Sequence, residues 1–188
     1  MLKIIGGIFK RRQLQVPTGL STRPTSSRLR ESVFNILQNV IEEAKVLDLF
    51  AGSGAIGLEA LSRGAKMVTF VEMERSALTC LKANVEALGV KDQTQIFFKD
   101  GLAFLKETPA TFDIIYIDPP YGLERQGSFL SAQLLSIIDE KKLLADNGDL
   151  FLEEMELDAL KMQSLKNLVL CDMRKMGRSW LYHYQRKK

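Results

Sequence analysis

A regular alternation that begins at Lys45 restricts the fold more than any other feature. VLDLF (46–50) is a short apolar strand run, and Ile56 to Ser62 reads as a helix. MVTFVE (67–72) is the next strand run, followed by an amphipathic helix over 74–88 with Leu78, Leu81, Val85 and Leu88 on one face. QIFFKD (95–100), FDIIYID (112–118) and DLFLEE (149–154) continue the strands, with helices over 102–107 and 128–138 between them. Two late runs, 167–173 and 179–184, read as a terminal pair. Strands alternating with helices imply an α/β fold of Rossmann-like type, a mostly parallel seven-stranded sheet with helices on both faces. Such a sheet binds ligands at the C-terminal ends of its strands.

Ahead of this core, residues 2–9 and 11–16 are two apolar runs broken around Gly6, Gly7 and a Lys-Arg-Arg cluster. They read as a small hairpin or extended arm. Pro17, Gly19 and Pro24 make the connection irregular, and Ser26 or Ser27 can cap a helix carrying Leu29, Val33, Phe34, Ile36, Leu37 and Val40 at helical spacing. The expected organisation is one domain over 1–188, with a basic arm (1–25) on a catalytic core (26–188).

Charge is segregated along the chain. Residues 1–30 hold seven basic residues (Lys3, Lys10, Arg11, Arg12, Arg23, Arg28, Arg30) and no acid, and residues 174–188 hold six with no acid. The stretch between has thirteen basic against 23 acidic residues. An acidic body with basic ends suggests a polyanionic partner. The arm interleaves its charges with Ile4, Ile5, Ile8, Phe9, Leu14 and Val16, which look folded rather than tail-like.

An apolar fraction of 46% argues against disorder. No uncharged apolar run approaches the roughly 18–20 residues of a membrane span, and the start MLKIIGGIFKRR reverses the order of a secretory signal. The expectation is a cytoplasmic monomer with reduced Cys80 and Cys171 and no metal site. His183, the one histidine, lies in an apolar and aromatic stretch and reads as structural.

DLFAGSGAIGLEA (48–60) is a strand, a glycine turn and a helix start in which Gly52, Gly54 and Gly57 fit GxGxxG. Glu72, twenty residues after Gly52, ends the next strand, where an acid can accept both ribose hydroxyls of an adenosine. The pattern suits NAD as well as S-adenosylmethionine. Asp48 tilts the balance, since a carboxylate there meets a sulfonium or ammonium and has no obvious use in a dinucleotide site. Asp100 can take an adenine amino group, cap the next helix, or do both.

FDIIYIDPPYG (112–122) decides the class. An apolar strand empties into Asp118-Pro119-Pro120-Tyr121, and two prolines can neither continue the strand nor donate backbone hydrogen bonds. The Pro119 carbonyl and the Asp118 carboxylate are then two acceptors for the two N–H groups of an aromatic amine. Holding them orients the nitrogen toward a sulfonium methyl group, a positioning effect worth up to about 7–11 kcal/mol in favourable cases. The same acceptors stabilise positive charge on nitrogen. Tyr121 offers a face on which an extruded base can stack.

With these motifs in view, the chain resembles the bacterial 16S ribosomal RNA guanine-N2 methyltransferases that modify guanine 966. The resemblance covers IIGGIFKRRQLQVPTGLSTRPTSSRLRESVFNIL, VLDLFAGSGAIGLEALSRGA, VEMERSAL and IDPPY, and the segment TRPTSSRLRESVFNIL (22–37) is the most telling. The family form carries Asp where Ser27 stands. The resemblance implies an S-adenosylmethionine site at Asp48, Phe50, Ala51, Gly52, Ser53, Gly54, Glu72, Met73, Asp100 and Gly101. It places the chemistry at Asp118, Pro119, Pro120 and Tyr121. It implies RNA contacts at Lys10, Arg11, Arg12, Arg23, Thr25 and Arg28, with 16S ribosomal RNA in the small subunit or an assembly intermediate as partner.

Three alternatives compete. A DNA adenine-N6 or cytosine-N4 amino-methyltransferase would also use DPPY, yet 188 residues leave little room for a target-recognition domain. A nicotinamide oxidoreductase would leave DPPY unexplained and lacks an acid/base. A non-catalytic RNA-binding protein would not be expected to keep both motifs intact.

Overall fold

The computed structural model describes residues 2–17, 26–120, 123–125, 128–155 and 165–186. Arg23, Thr25 and Tyr121 lie outside the described residues. The chain forms two compact units, residues 1–99 and 100–188.

In the first unit the arm is a minimal hairpin, pinned by an antiparallel bridge between Lys3 and Gln13. The Ile4 N–H donates to the Arg12 carbonyl and the Leu14 N–H to the Leu2 carbonyl, both at 3.0 Å. Ile4 and Leu14 are buried, which is why this basic segment is part of the body. Helix α1 (Ser27–Ile36) is capped by Ser26, whose hydroxyl accepts from the Leu29 N–H at 3.2 Å. Then follow β1 (Lys45–Leu49), α2 (Ala55–Ser62), β2 (Met67–Glu72), α3 (Arg75–Leu88) and β3 (Thr94–Phe98). The strands are parallel, β2 lying between β1 and β3, with Asp48 beside Phe70 and Glu72 beside Phe98. On α3 the buried set is Ala77, Leu81, Asn84, Val85 and Leu88. Leu78, expected on the buried face, is half-exposed.

The second unit holds α4 (Gly101–Glu107), β4 (Phe112–Ile117), the two-residue pair β5 (Glu124–Arg125) and β6 (Ser128–Phe129), α5 (Leu130–Lys141), β7 (Leu144–Glu154), β8 (Leu168–Met176) and β9 (Ser179–Arg186). Strand β4 is parallel to β7, and β9 pairs antiparallel with both β7 and β8. The three parallel strands of the first unit and the four of the second, β4, β7, β9 and β8, make the seven strands of a mostly parallel α/β fold.

Several boundaries differ from those the sequence suggests: α5 runs to Lys141 and not 138, β8 to Met176 and not 173, and β3 stops at Phe98 and not 100, while two starts differ for a visible reason. Strand β7 starts at Leu144 rather than near 149, because the β4–β7 register shifts between Phe112 and Ile114 to absorb extra residues. Asn147 there takes φ 61°, and a Cβ on Gly148 would lie 2.8 Å from the Asp113 carbonyl. Helix α5 starts at Leu130 because Ser128 and Phe129 pair with β5 instead. Its last turn carries Lys141, whose ammonium donates to the carbonyls of Leu105, Lys106 and Thr108 at the end of α4. His183 is structural: it stacks on Phe151 with ring centroids 4.6 Å apart, and its Nε2 lies 2.7 Å from Asp149 Oδ1.

Candidate active site

Strand β1 runs into the glycine loop through a residue of unusual conformation. Phe50 has φ 67°, a left-handed backbone that side chains larger than glycine seldom adopt. Both Phe50 and Ala51 donate their N–H groups to the Val71 carbonyl, at 3.0 and 3.1 Å, which folds the chain back over the end of β2. Gly52 follows with φ +56°, and a Cβ added there would meet nothing within 4 Å, so this edge of the loop is open to a ligand. Gly54 and Gly57 serve other ends. Gly54 caps α2 at φ +83°, and a Cβ there would lie 2.4 Å from Leu81. A Cβ on Gly57 would lie 2.3 Å from the Phe70 ring, so this glycine lets α2 press onto β2.

Asp48 is 2% exposed, and its Oδ2 accepts from the Gly57 N–H at 2.9 Å. It thereby satisfies a donor in the first turn of α2, whose N-cap Gly54 has no side chain to do so. Burial pushes the Asp48 carboxyl up to about 7; the Gly57 hydrogen bond opposes that rise and the charge of Glu72 adds to it. A buried carboxyl in that state is stabilised by a cation beside it.

Glu72, at the end of β2, does more than the sequence suggests. Its carboxylate accepts from the N–H groups of Gly52 at 2.7 Å, Met73 at 2.8 Å and Glu74 at 2.7 Å. It therefore shapes the glycine loop before any ligand arrives, and its remaining lone pairs are what it can offer to ribose hydroxyls. Met73, next to it, is 51% exposed and presents an apolar surface at the same strand end.

The second unit contributes the other candidates. Asp100 caps α4, its Oδ1 accepting from the Ala103 N–H at 3.1 Å. This realises the capping half of its expected pair of roles, and Gly101 begins the helix. Asp118 follows directly on β4 and is half-exposed, Pro119 is buried and Pro120 exposed. Asp118-Pro119-Pro120 thus leaves the C-terminal end of a buried parallel strand, as the prolines require.

Among the residues expected to touch RNA, Lys10, Arg11 and Arg28 are exposed. Arg12 is exposed too, but its guanidinium donates to the Ala87 carbonyl at 2.8 Å, so it also ties the arm to the end of α3. Arg30, counted in the basic block, is 2% exposed and lies 3.6 Å from Glu59, so its charge is not on the surface.

Two residues that matter were missed. Glu59, fully buried in α2, accepts from the N–H groups of Ile5 and Gly6, both at 2.7 Å, and pairs with Arg63 at 2.8 Å. It fastens the arm to the helix that starts at the glycine loop. Asn84, on the buried face of α3, bonds both the arm and the loop. Each carried a legible signal, a polar residue at a position where the helical pattern calls for an apolar one.

Comparison with known proteins finds relatives in sequence and in fold. The Haemophilus influenzae protein named ribosomal RNA small subunit methyltransferase D is 36% identical over 81% of this chain and 78% of its own. A solved structure from Escherichia coli, described as a methyltransferase, superposes with a TM-score of 0.87 at 35% identity, covering 99% of this chain and 98% of that one. A methyltransferase solved with S-adenosylhomocysteine shares the fold at 19% identity, with a TM-score of 0.67 over 82% of this chain and 48% of that one. The fold and the loop therefore define a Rossmann-like, class I S-adenosylmethionine-dependent methyltransferase. The residues present fit that cofactor: an open glycine edge at Gly52 and a buried carboxyl at Asp48 suited to a cation. Within that class, the chain belongs to the family described as conserved hypothetical protein 95, which matches residues 2–185.

Proposed function

We propose that this protein methylates the exocyclic N2 amino group of a guanine in 16S ribosomal RNA, at position 966, in the small subunit or an assembly intermediate. The observation that carries the reading is Asp118-Pro119-Pro120 leaving the end of β4, in a chain whose relatives include a protein named as a small-subunit ribosomal RNA methyltransferase. S-adenosylmethionine, when bound, supplies an electrophilic methyl group on a sulfonium.

The chain's own residues do the rest. Asp48 faces the cofactor's positive charge, and Glu72 with the glycine loop holds the adenosine. Asp118 and the Pro119 carbonyl accept the two N–H bonds of the guanine amine and aim its nitrogen. Their negative potential would stabilise the positive charge that develops on nitrogen, and the Asp118 carboxylate or water would take the proton that the nitrogen gives up. Tyr121 stacks on the extruded base, an interaction worth about 1–3 kcal/mol. Lys10, Arg11, Arg12, Arg23, Thr25 and Arg28 hold the phosphate backbone. The protein acts as a monomer in the cytoplasm, and among the described residues no helix is long and apolar enough to cross a membrane.

The test is a methyl-transfer assay with labelled S-adenosylmethionine on small ribosomal subunits from cells lacking this protein, with the product digested to nucleosides. Label in N2-methylguanosine is expected. Label in methyladenosine or methylcytidine would keep the enzyme class and overturn the target, and no label there with label in a parallel reaction on DNA would make it a DNA amino-methyltransferase.

A further inference from the structure

Asn84 is 2% exposed on α3, and its amide is engaged at both ends. Its Oδ1 accepts from the Gln15 N–H at 2.7 Å. Its Nδ2 donates to the Gln15 carbonyl at 3.0 Å and to the Ser53 carbonyl at 2.9 Å. Gln15 lies two residues beyond the Lys3–Gln13 bridge of the arm, and Ser53 sits between the two left-handed glycines of the cofactor loop. One side chain thus joins segments 69 and 31 residues away from it. Only an amide offers an acceptor and two donors in one plane. A leucine of similar size would fill the space and leave three part-buried backbone groups without this partner.

The loop needs such a tether. Phe50 takes positive φ, which for a side chain of that size persists only where the surroundings over-determine it, whereas Gly52 and Gly54 adopt theirs without that cost. The N–H groups of Phe50, Ala51 and Gly52 are held from β2, by Val71 and Glu72. Asn84 adds a hold from the other side, and that hold depends on where the arm lies.

We propose that Asn84 is a positioning residue that sets the cofactor loop according to the seating of the basic arm, so that RNA on the arm and S-adenosylmethionine in the loop strengthen each other's binding. The coupling rests on the proposed RNA function, whereas the hold on the loop stands on geometry alone. Linkage makes the effect reciprocal: whatever factor RNA contributes to cofactor affinity, the cofactor returns to RNA affinity.

The experiment measures S-adenosylhomocysteine affinity by calorimetry, with and without a 16S ribosomal RNA transcript, in wild type, Asn84→Ala, Asn84→Asp, Gln15→Pro and the Asn84→Ala/Gln15→Pro double variant. Amide exchange of Gly52 to Gly54 is followed in the cofactor-free protein. Asn84→Ala should weaken binding about tenfold, speed loop exchange and abolish the RNA effect. Asn84→Asp keeps the acceptor for the Gln15 N–H but sets an oxygen against both the Ser53 and the Gln15 carbonyls, so it should loosen the loop and weaken the arm's seating. Gln15→Pro removes the N–H that Asn84 accepts, and should weaken binding in the wild-type background but add nothing to Asn84→Ala. Unchanged affinity and exchange in Asn84→Ala, or additive losses in the double variant, would overturn the inference. So would a wild type that binds both ligands independently. A wild type that binds no S-adenosylhomocysteine, or no RNA, would instead refute the proposed function, and the coupling with it. Should Asn84→Ala not fold, the Asp variant and Gln15→Pro decide the matter alone.

Discussion

Replacing Asp48 by Asn should stabilise the free protein and damage cofactor binding, with a pH signature that identifies the cause. The wild-type carboxyl is 2% exposed and held at about 7, against 3.8 in its unperturbed state. Between those values the folded protein keeps a proton that the unfolded chain has released, so stability falls as pH rises through this window. The loss is complete above about pH 7 and amounts to roughly 4 kcal/mol at most. Asn avoids burying the charge, and its carbonyl can still accept from the Gly57 N–H, so at pH 8 the variant should gain about 1–3 kcal/mol, read by denaturant unfolding. Cofactor binding runs the other way, because the sulfonium requires the ionised carboxylate. The ionised fraction rises from about 3% at pH 5.5 to about half at pH 7.0, so wild-type affinity for S-adenosylmethionine should strengthen roughly fifteen-fold over that interval, with proton release. Calorimetry in buffers of different ionisation enthalpy measures both quantities. Asp48→Asn should bind weakly and show neither effect. A wild-type affinity that is flat from pH 5.5 to 7.0, with no proton released, would refute the reasoning: Asp48 would then either be ionised already or not face the cofactor.

Glu72→Ala removes the acceptor of three backbone N–H groups as well as the expected ribose partner. It should cost about 3 kcal/mol or more in denaturant unfolding and weaken S-adenosylhomocysteine binding several-fold or more; loss of affinity without loss of stability would mean that the loop does not depend on this carboxylate. Asp118→Ala should lower turnover by orders of magnitude with cofactor affinity nearly unchanged, checked by single-turnover methyl transfer beside calorimetry, and an equal loss of both would remove its assigned role. Lys10 and Arg11 both changed to Glu should weaken RNA binding and lower the slope of log affinity against log salt by about 1 for each phosphate no longer neutralised, without changing the melting temperature by more than a few degrees. Arg12 is a poorer choice for that experiment because it also holds the Ala87 carbonyl.

Much of this architecture is legible in the sequence because it depends on periodicities that are local. The strands at 67–72 and 112–118 and the helix over 74–88 each show their burial in a short window of sequence, and the structure reproduces them within a residue or two. The glycine loop is legible for a related reason, since GxGxxG between a strand and a helix satisfies several steric demands within a few residues. What escapes is non-local. The start of β7 depends on a bulge created by how Phe112 and Ile114 pair with it, and nothing within 144–148 announces that register. The start of α5 is hidden in the same way, because the pairing of Ser128 and Phe129 with β5 overrides a sequence that is otherwise acceptable in a helix.

The same distinction explains why the arm reads, from its sequence, as an RNA-binding appendage and little else. Its charges are evident in the sequence, and Glu59 and Asn84 stand out there as polar residues at apolar positions, but what they hold does not show. Glu59 and Asn84 hold it through backbone groups of Ile5, Gly6 and Gln15, and backbone donors leave no trace in residue identity. A Cβ on Gly7 would lie 1.7 Å from the Ser62 carbonyl, which shows how closely the hairpin lies on α2. The Ile8 N–H donates to that same carbonyl at 2.7 Å. The arm is therefore fixed to α2 and α3, the two helices that flank the cofactor loop. Under the proposed function, the positive charge that meets RNA is carried on a segment tied through Asn84 to Ser53.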